Sequence, residues 1–220
     1  MKRDREFDEL LRQKISETLE EPIDESIDAD GFEVEIGSFI ARAFAGMEVN
    51  EFSRYVRDYA DRPSPGYDGM TVGEAFFQPM LQVIYYLQSN AFTVYVCSGS
   101  DRLVIRALIE GGLILAGRYV IGTEELISAK NQGNKSGSEY VLGSDEELVL
   151  SGKIKEKNLK MNKVSMLAEQ VGQCPVLSFG NSAGDISMTN YVMSNEQYKT
   201  AAFFDCCAVA LEAARLLKNS

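Results

Sequence analysis

The amino-acid sequence predicts an α/β protein built on a parallel sheet with helices packed on both faces. Three observations carry this expectation. Two runs, Phe92-Thr93-Val94-Tyr95-Val96-Cys97 and Val176-Leu177-Ser178-Phe179, are almost wholly apolar, β-branched or aromatic, as strands buried on both faces are. Each ends in a polar turn containing glycine, Ser98-Gly99-Ser100 or Gly180-Asn181-Ser182, and a helical pattern follows each turn. Strand and helix then alternate toward the end of the chain, the order of βαβ units. With 45% hydrophobic and 25% charged residues over 220 positions, the apolar content suffices for a core.

Taken in order, the first stretch is helical. Leu10, Leu11, Ile15 and Leu19 recur at helical spacing among charges. A break runs from Glu21-Pro22 to Asp30-Gly31. A second amphipathic stretch covers Ile36 to Phe44 and ends at Gly46. A third carries Phe52, Tyr55, Val56 and Tyr59 and stops at Pro63-Ser64-Pro65-Gly66. Each has a polar face, as helices of a lid do, so residues 1–66 read as a helical cap and 67–220 as the α/β core. In the core a helix from about Val72 to Leu87 precedes the first strand. Leu103 to Glu110 is a helix, and Tyr119-Val120-Ile121-Gly122 a short strand. Residues 124–152, rich in Gly, Ser, Asn and acidic side chains around Tyr140-Val141-Leu142 and Leu148-Val149-Leu150, read as a small β-hairpin insertion. Then come a helix at Lys163 to Val171, the strand ending at Phe179 and a short helix at Asp185 to Val192. A strand at Ala201 to Phe204 and a helix at Ala208 to Leu217 close the series. The set makes a Rossmann-like sheet.

Composition narrows the function. The 22 Lys and Arg stand against 33 Asp and Glu, a net charge of -11. So acidic a surface repels nucleic acid and anionic membranes, whereas a small anion can still be held by a metal ion or a helix N-terminus. There is no His, which excludes Ser-His-Asp and Cys-His nucleophile systems and His-ligated zinc. The four Cys (Cys97, Cys174, Cys206 and Cys207) show no CxxC spacing. They read as buried thiols suited to a reducing, cytoplasmic compartment. No run approaches a membrane span, and Met1-Lys2-Arg3-Asp4-Arg5-Glu6 opens no signal peptide.

In an open parallel sheet, ligands bind beyond the carboxyl ends of the strands. Ser98-Gly99-Ser100 and Gly180-Asn181-Ser182-Ala183-Gly184-Asp185 occupy two such ends. A hydroxyl and the amides of a turn can cradle an anion. Asn181 and Asp185 offer oxygens suited to a hard cation such as magnesium. Lys163, at a helix start, can neutralise a phosphate.

In this order the motifs resemble those of the haloacid dehalogenase superfamily, in particular its phosphoserine-phosphatase-like branch, over about residues 70 to 205. Val94-Tyr95-Val96-Cys97-Ser98-Gly99 is similar to the family's second motif, Lys163 to its third, and Leu177 to Asp185 to its fourth. The resemblance implies a magnesium-dependent phosphomonoester hydrolase acting on a small phosphorylated substrate through an aspartyl-phosphate. In it Ser98 and Gly99 hold the phosphate, Lys163 balances charge, and Asn181 and Asp185 hold the metal. Asn181 replaces the family's usual aspartate.

The family's first motif, an apolar strand followed by Asp-x-Asp-x-Thr, has no good counterpart. Asp28-Ala29-Asp30-Gly31 follows no apolar strand, and Phe32 stands in place of the threonine, so it reads as a polar loop. The chain therefore reads as an N-terminally truncated, inactive form, which leaves the question of export open. A non-catalytic relative that binds a phosphorylated ligand or a partner protein is the alternative. The missing strand would lie between those ending at Ser98 and Phe179, leaving a slot there or a sheet closed up by direct pairing. Phe76, Phe77, Tyr85 and Tyr86 suit either a substrate pocket or, more commonly, core.

Overall fold

The computed structural model describes residues 29–112 and 115–204. The helices expected around Leu10–Leu19 and Ala208–Leu217, with Cys206 and Cys207, lie outside the described residues. The helical segments are α1 (Ala29–Ala43), α2 (Val49–Ala60), α3 (Gln78–Ser89), α4 (Arg102–Gly112), α5 (Met161–Val171) and α6 (Ile186–Met193). The strands are β1 (Val96–Asp101), β2 (Val120–Ala129), β3 (Leu148–Glu156), β4 (Leu177–Gly180) and β5 (Ala201–Phe204). The chain divides into two units, Met1–Val49 with Glu125–Ile154, and Asn50–Glu124 with Lys155–Ser220. The helix α2, grouped by sequence with the helices before it, falls in the second unit, where it buries Phe52, Val56 and Ala60.

The second unit is the α/β part. Strands β1 and β2 run parallel, with Val96 opposite Val120 and Cys97 opposite Ile121. Side chains alternate along a strand, and two cores follow from that. On one face Val94, Val96 and Val120 pack with Met80 and Ile84 of α3 and Ile105 and Ile109 of α4. On the other, Tyr95, Cys97 and Ile121 pack with Met166 and Leu167 of α5 and Met188 and Tyr191 of α6. The helices thus cover both faces of a parallel sheet, the architecture the sequence predicts. Strands β4 and β5 pair parallel from Leu177 opposite Ala201 to Gly180 opposite Phe204, with α6 packed on them.

The pairing bears on the two arrangements expected at the missing strand. The strands ending near Ser98 and Phe179 do not share a ladder. The hydrogen-bonded orders are β1-β2-β3 and, separately, β4-β5. Direct pairing of β1 with β4 is therefore not how the sheet is completed. Val96 to Gly99 are only half-buried, although their composition is that of a strand with neighbours on both sides. Val120 and Ile121 on β2 are each 1% exposed.

Element limits also differ in places. The first strand covers Val96–Asp101 instead of 92–97, because β2 offers partners only from Val120 onward. Ser98-Gly99-Ser100 is thus strand, with an irregular register between Cys97 and Asp101. The helix expected from Val72 begins at Gln78, where Pro79 suits the first turn. Val72–Glu74 is a separate 3₁₀ turn closed by a Thr71/Glu74 capping box. Strand β2 continues through Glu124 and Glu125 to Ala129. Tyr140-Val141-Leu142 forms no strand and Val141 is 90% exposed. That loop is organised by Glu146, whose carboxylate accepts from the Asn131 amide at 2.7 Å, the Gly143 amide at 3.2 Å and the Tyr140 hydroxyl at 2.9 Å. Asp30 and Gly31 belong to α1 and are helical instead of looped.

In the first unit, the Gly46 amide donates to the Leu150 carbonyl at 2.8 Å and the Leu150 amide to the Met47 carbonyl at 3.0 Å. Leu150 is wholly buried, with Ala41, Phe44 and Val149 also buried. Gly152 has φ +75° and a Cβ there would sit 2.6 Å from the Ala45 Cβ, so both conformation and space require glycine. No helix among the described residues is long and apolar enough to cross a membrane.

The start of α4 yields a first prediction. The Asp101 Oδ1 accepts from the amides of Leu103 at 2.7 Å and Val104 at 3.3 Å, a helix cap. Asp101→Ala should lower stability by about 1 kcal/mol, and Asp101→Asn should keep most of the cap. Burial pushes the Asp101 carboxyl above its ordinary 3.8. The native state therefore keeps that proton to higher pH than the unfolded chain does. The resulting contribution to stability is full below about 3.8 and is lost as pH rises through the folded value. The amide introduced by Asp101→Asn cannot titrate, so the variant should gain on the parent as pH rises from about 3.5 to about 7 in urea unfolding. A difference independent of pH would contradict this.

Candidate functional site

The turn after β4 is built around one carboxylate. Asp185 is 5% exposed. Its Oδ2 accepts from the amides of Asn181 at 3.1 Å and Ser182 at 3.2 Å and from the Ser182 hydroxyl at 3.3 Å. Gly180 makes room for it, since a Cβ there would lie 2.7 Å from the Asp185 Cβ. The other oxygen, Oδ1, meets the Lys163 Nζ at 2.6 Å. Lys163 lies in the first turn of α5, on the face that buries Met166 and Leu167, three and four residues on. It is 5% exposed, and its Nζ also donates to the Cys97 carbonyl at 3.0 Å. One ammonium therefore ties β1 to the turn after β4, joining two ladders that do not pair.

Ser98 follows Cys97 directly. Its Oγ accepts from the Ser100 amide at 3.1 Å, which leaves its hydroxyl proton for another acceptor. The Ser98 carbonyl accepts from the Asn158 Nδ2 at 2.8 Å. The Gly99 carbonyl accepts from the Thr123 hydroxyl at 2.6 Å and the Lys157 Nζ at 3.0 Å. The Asn158 amide in turn donates to Thr123 Oγ1 at 3.2 Å. Asn158 is fully buried and its Oδ1 has no partner among the described residues.

Lys163 and Asp185 are thus brought into contact, and Ser98 and Gly99 adjoin the carbonyl that Lys163 holds. Asn181 enters the turn through its amide, and the residue is exposed. Thr123, Lys157 and Asn158, which strap the Ser98-Gly99 segment, are not among the residues singled out by sequence. The available signal was a short polar run, Lys157-Asn158, directly after a strand. Cys97 is unsuited to nucleophilic chemistry, because burial pushes its thiol up from 9.0 and only a thiolate attacks. Phe77 and Tyr86 are 61% and 69% exposed, so neither is core.

The oxygens present do not by themselves fit magnesium. Of the two expected ligands, Asp185 already has both oxygens engaged, and Asn181 offers only a neutral amide oxygen. Among the described residues no three His, Cys, Asp or Glu side chains group as a metal requires.

Comparison with known proteins bears on the fold. No protein-family profile matches the chain, and no curated protein matches it. Among solved structures, it is similar to a conserved, functionally unknown protein from Anaerococcus prevotii DSM 20548, with a TM-score of 0.51 at 14% identity over 82% of this chain. The chain spans 50% of that protein's length. The likeness supports the α/β, Rossmann-like fold.

Proposed function

We propose that this chain carries the phosphate-binding side of a phosphomonoester hydrolase site of the haloacid dehalogenase type. Its aspartate nucleophile would come from a strand that this sequence does not contain. The observation that carries the reading is the buried Lys163, bonded at once to the Cys97 carbonyl and to Asp185, between ladders that stay apart. That arrangement leaves an ammonium where an attacking carboxylate and a phosphoryl group would need a counter-charge. Asp185 orients the lysine. The Ser98 hydroxyl donates to a phosphate oxygen, and the Gly99 amide assists. The incoming aspartate forms an oxygen–phosphorus bond as the alcohol leaves, and water then cleaves the acyl phosphate. Magnesium is expected only with the carboxylates of that strand, because both Asp185 oxygens are already engaged.

The test is hydrolysis of p-nitrophenyl phosphate in magnesium buffer. The chain alone should show no turnover. The chain fused behind an apolar strand ending in Asp-x-Asp-x-Thr should turn over, and Ser98→Ala in the fusion should lower the rate about 100-fold, the effect of losing one donor to developing charge. Turnover by the chain alone that Asp28→Asn abolishes would overturn the reading. The engagement of both Asp185 oxygens favours a second reading, a non-catalytic binder of phosphorylated ligands. In that case the fusion binds phosphate without hydrolysing the ester.

A further inference from the structure

Away from these residues, the second unit contains a pocket of about 400 Å³ between α2 and α4. We propose that it is a binding site for a small, multiply charged anion, a phosphate ester or a polycarboxylate. Its walls bring together Arg54, Arg57 and Arg106 with a single acid, Glu110. Three cations to one anion is a local excess of positive charge in a chain whose net charge is -11. Guanidinium groups present forked donors that match carboxylate and phosphate oxygens.

The geometry is built, not incidental. Arg54 and Arg57 stand three residues apart and so share one side of α2, while Phe52, Val56 and Ala60 of that helix are buried. The Arg106 Nε donates to the Gly117 carbonyl at 2.8 Å, which fixes the plane of its guanidinium. Burial and the neighbouring Arg102 both disfavour the charge on Arg106, a penalty that an anion in the pocket would offset. Ser53 and Asn50 add polar groups from the first turns of α2, where the helix dipole also favours negative charge. The internal acid competes weakly. Glu110 Oε2 lies 3.8 Å from Arg57 Nη1, with side chains 58% and 41% exposed, so water screens that pair and a ligand can displace it. The volume is in the range of small-molecule sites, and the acidic remainder of the surface repels an extended polyanion.

Isothermal titration of the intact chain with pyrophosphate and, separately, citrate at fixed ionic strength tests this. At least one should bind at a single site with a submillimolar dissociation constant. Tighter pyrophosphate assigns a phosphoryl ligand, and tighter citrate a polycarboxylate. The double variant Arg54→Gln/Arg57→Gln should weaken binding at least 10-fold. Glu110→Gln should tighten it by about 2- to 5-fold, a gain that a misfolded protein cannot produce. The assignment fails if neither anion binds, if the arginine double variant binds as the parent does, or if Glu110→Gln binds no tighter. Binding lost in Ser98→Ala and kept in the arginine variant would move the anion to Ser98 and leave this pocket without a role.

Discussion

Lys163→Met should lower the stability of the protein by about 3–5 kcal/mol, the usual result of stranding one half of a buried ion pair. Both side chains are nearly sealed, at 6% and 8% exposure, with Nζ and Oδ1 2.6 Å apart. Without the ammonium, the buried Asp185 carboxylate loses its counter-charge, and the Cys97 carbonyl loses a donor. In a chain of this size each kcal/mol moves Tm by about 2–4 °C, so a fall of roughly 6–20 °C is expected. Adding Asp185→Asn should recover part of the loss, because the stranded charge is gone and the amide can still accept from the Asn181 and Ser182 amides. Thermal unfolding of the two single variants and the double variant measures this coupling. A Lys163→Met protein that melts within 2 °C of the parent would mean that the pair contributes nothing to the fold.

The second large effect is expected at Gly122 in β2. A Cβ there would lie 2.8 Å from the Arg102 Cα, 2.9 Å from the Ser100 oxygen and 3.0 Å from the Arg102 nitrogen. All three are backbone atoms, and no rotamer change can clear them. Gly122→Ala must therefore move the start of α4 away from β2, at a cost of about 3 kcal/mol, the upper end for overpacking. Gly99 provides the contrast. Its added Cβ would meet the Leu159 Cδ2 at 3.1 Å, a methyl that can turn aside, so Gly99→Ala should cost less than about 1 kcal/mol. Urea unfolding of the two alanine variants distinguishes the cases. Equal losses would show that α4 yields as readily as a leucine methyl.

Much of the α/β pattern was legible because it rests on local signals. The apolar strands and glycine turns sit next to each other in the chain, and Lys163 and Asp185 stand at helix and turn positions where such chemistry is commonly placed. What escaped depends on distant partners. Glu124 and Glu125 look like a strand's end. Glu124 is tolerated inside β2 because Arg102 meets it at 2.6 Å and Lys155 at 3.0 Å. Glu125 accepts from the Gly152 amide at 3.0 Å. Those partners are 22, 31 and 27 residues away. Asn158 is the sharper case. A fully buried amide in a lysine-rich run carries no periodicity to reveal it, and its position follows from Ser98 and Thr123, which are 60 and 35 residues earlier. The separation of the ladders was half legible. The composition of β1 announces a strand with two neighbours, and only the pairing shows that it has one among the described residues.

The way the chain divides has a consequence for its synthesis. Neither unit is contiguous, since one is interrupted between Val49 and Glu125 and the other between Glu124 and Lys155. On a ribosome, which adds about 5–20 residues per second, Gly46 and Met47 are made several seconds before their partner Leu150 exists. No single cut in the gene separates the units, and a nascent chain stopped near residue 124 holds neither of them entire. Such a half-made polypeptide holds Ile121 before Met166, Leu167 and Met188, the side chains that bury it, have been made, and for that interval it is a natural client for a chaperone.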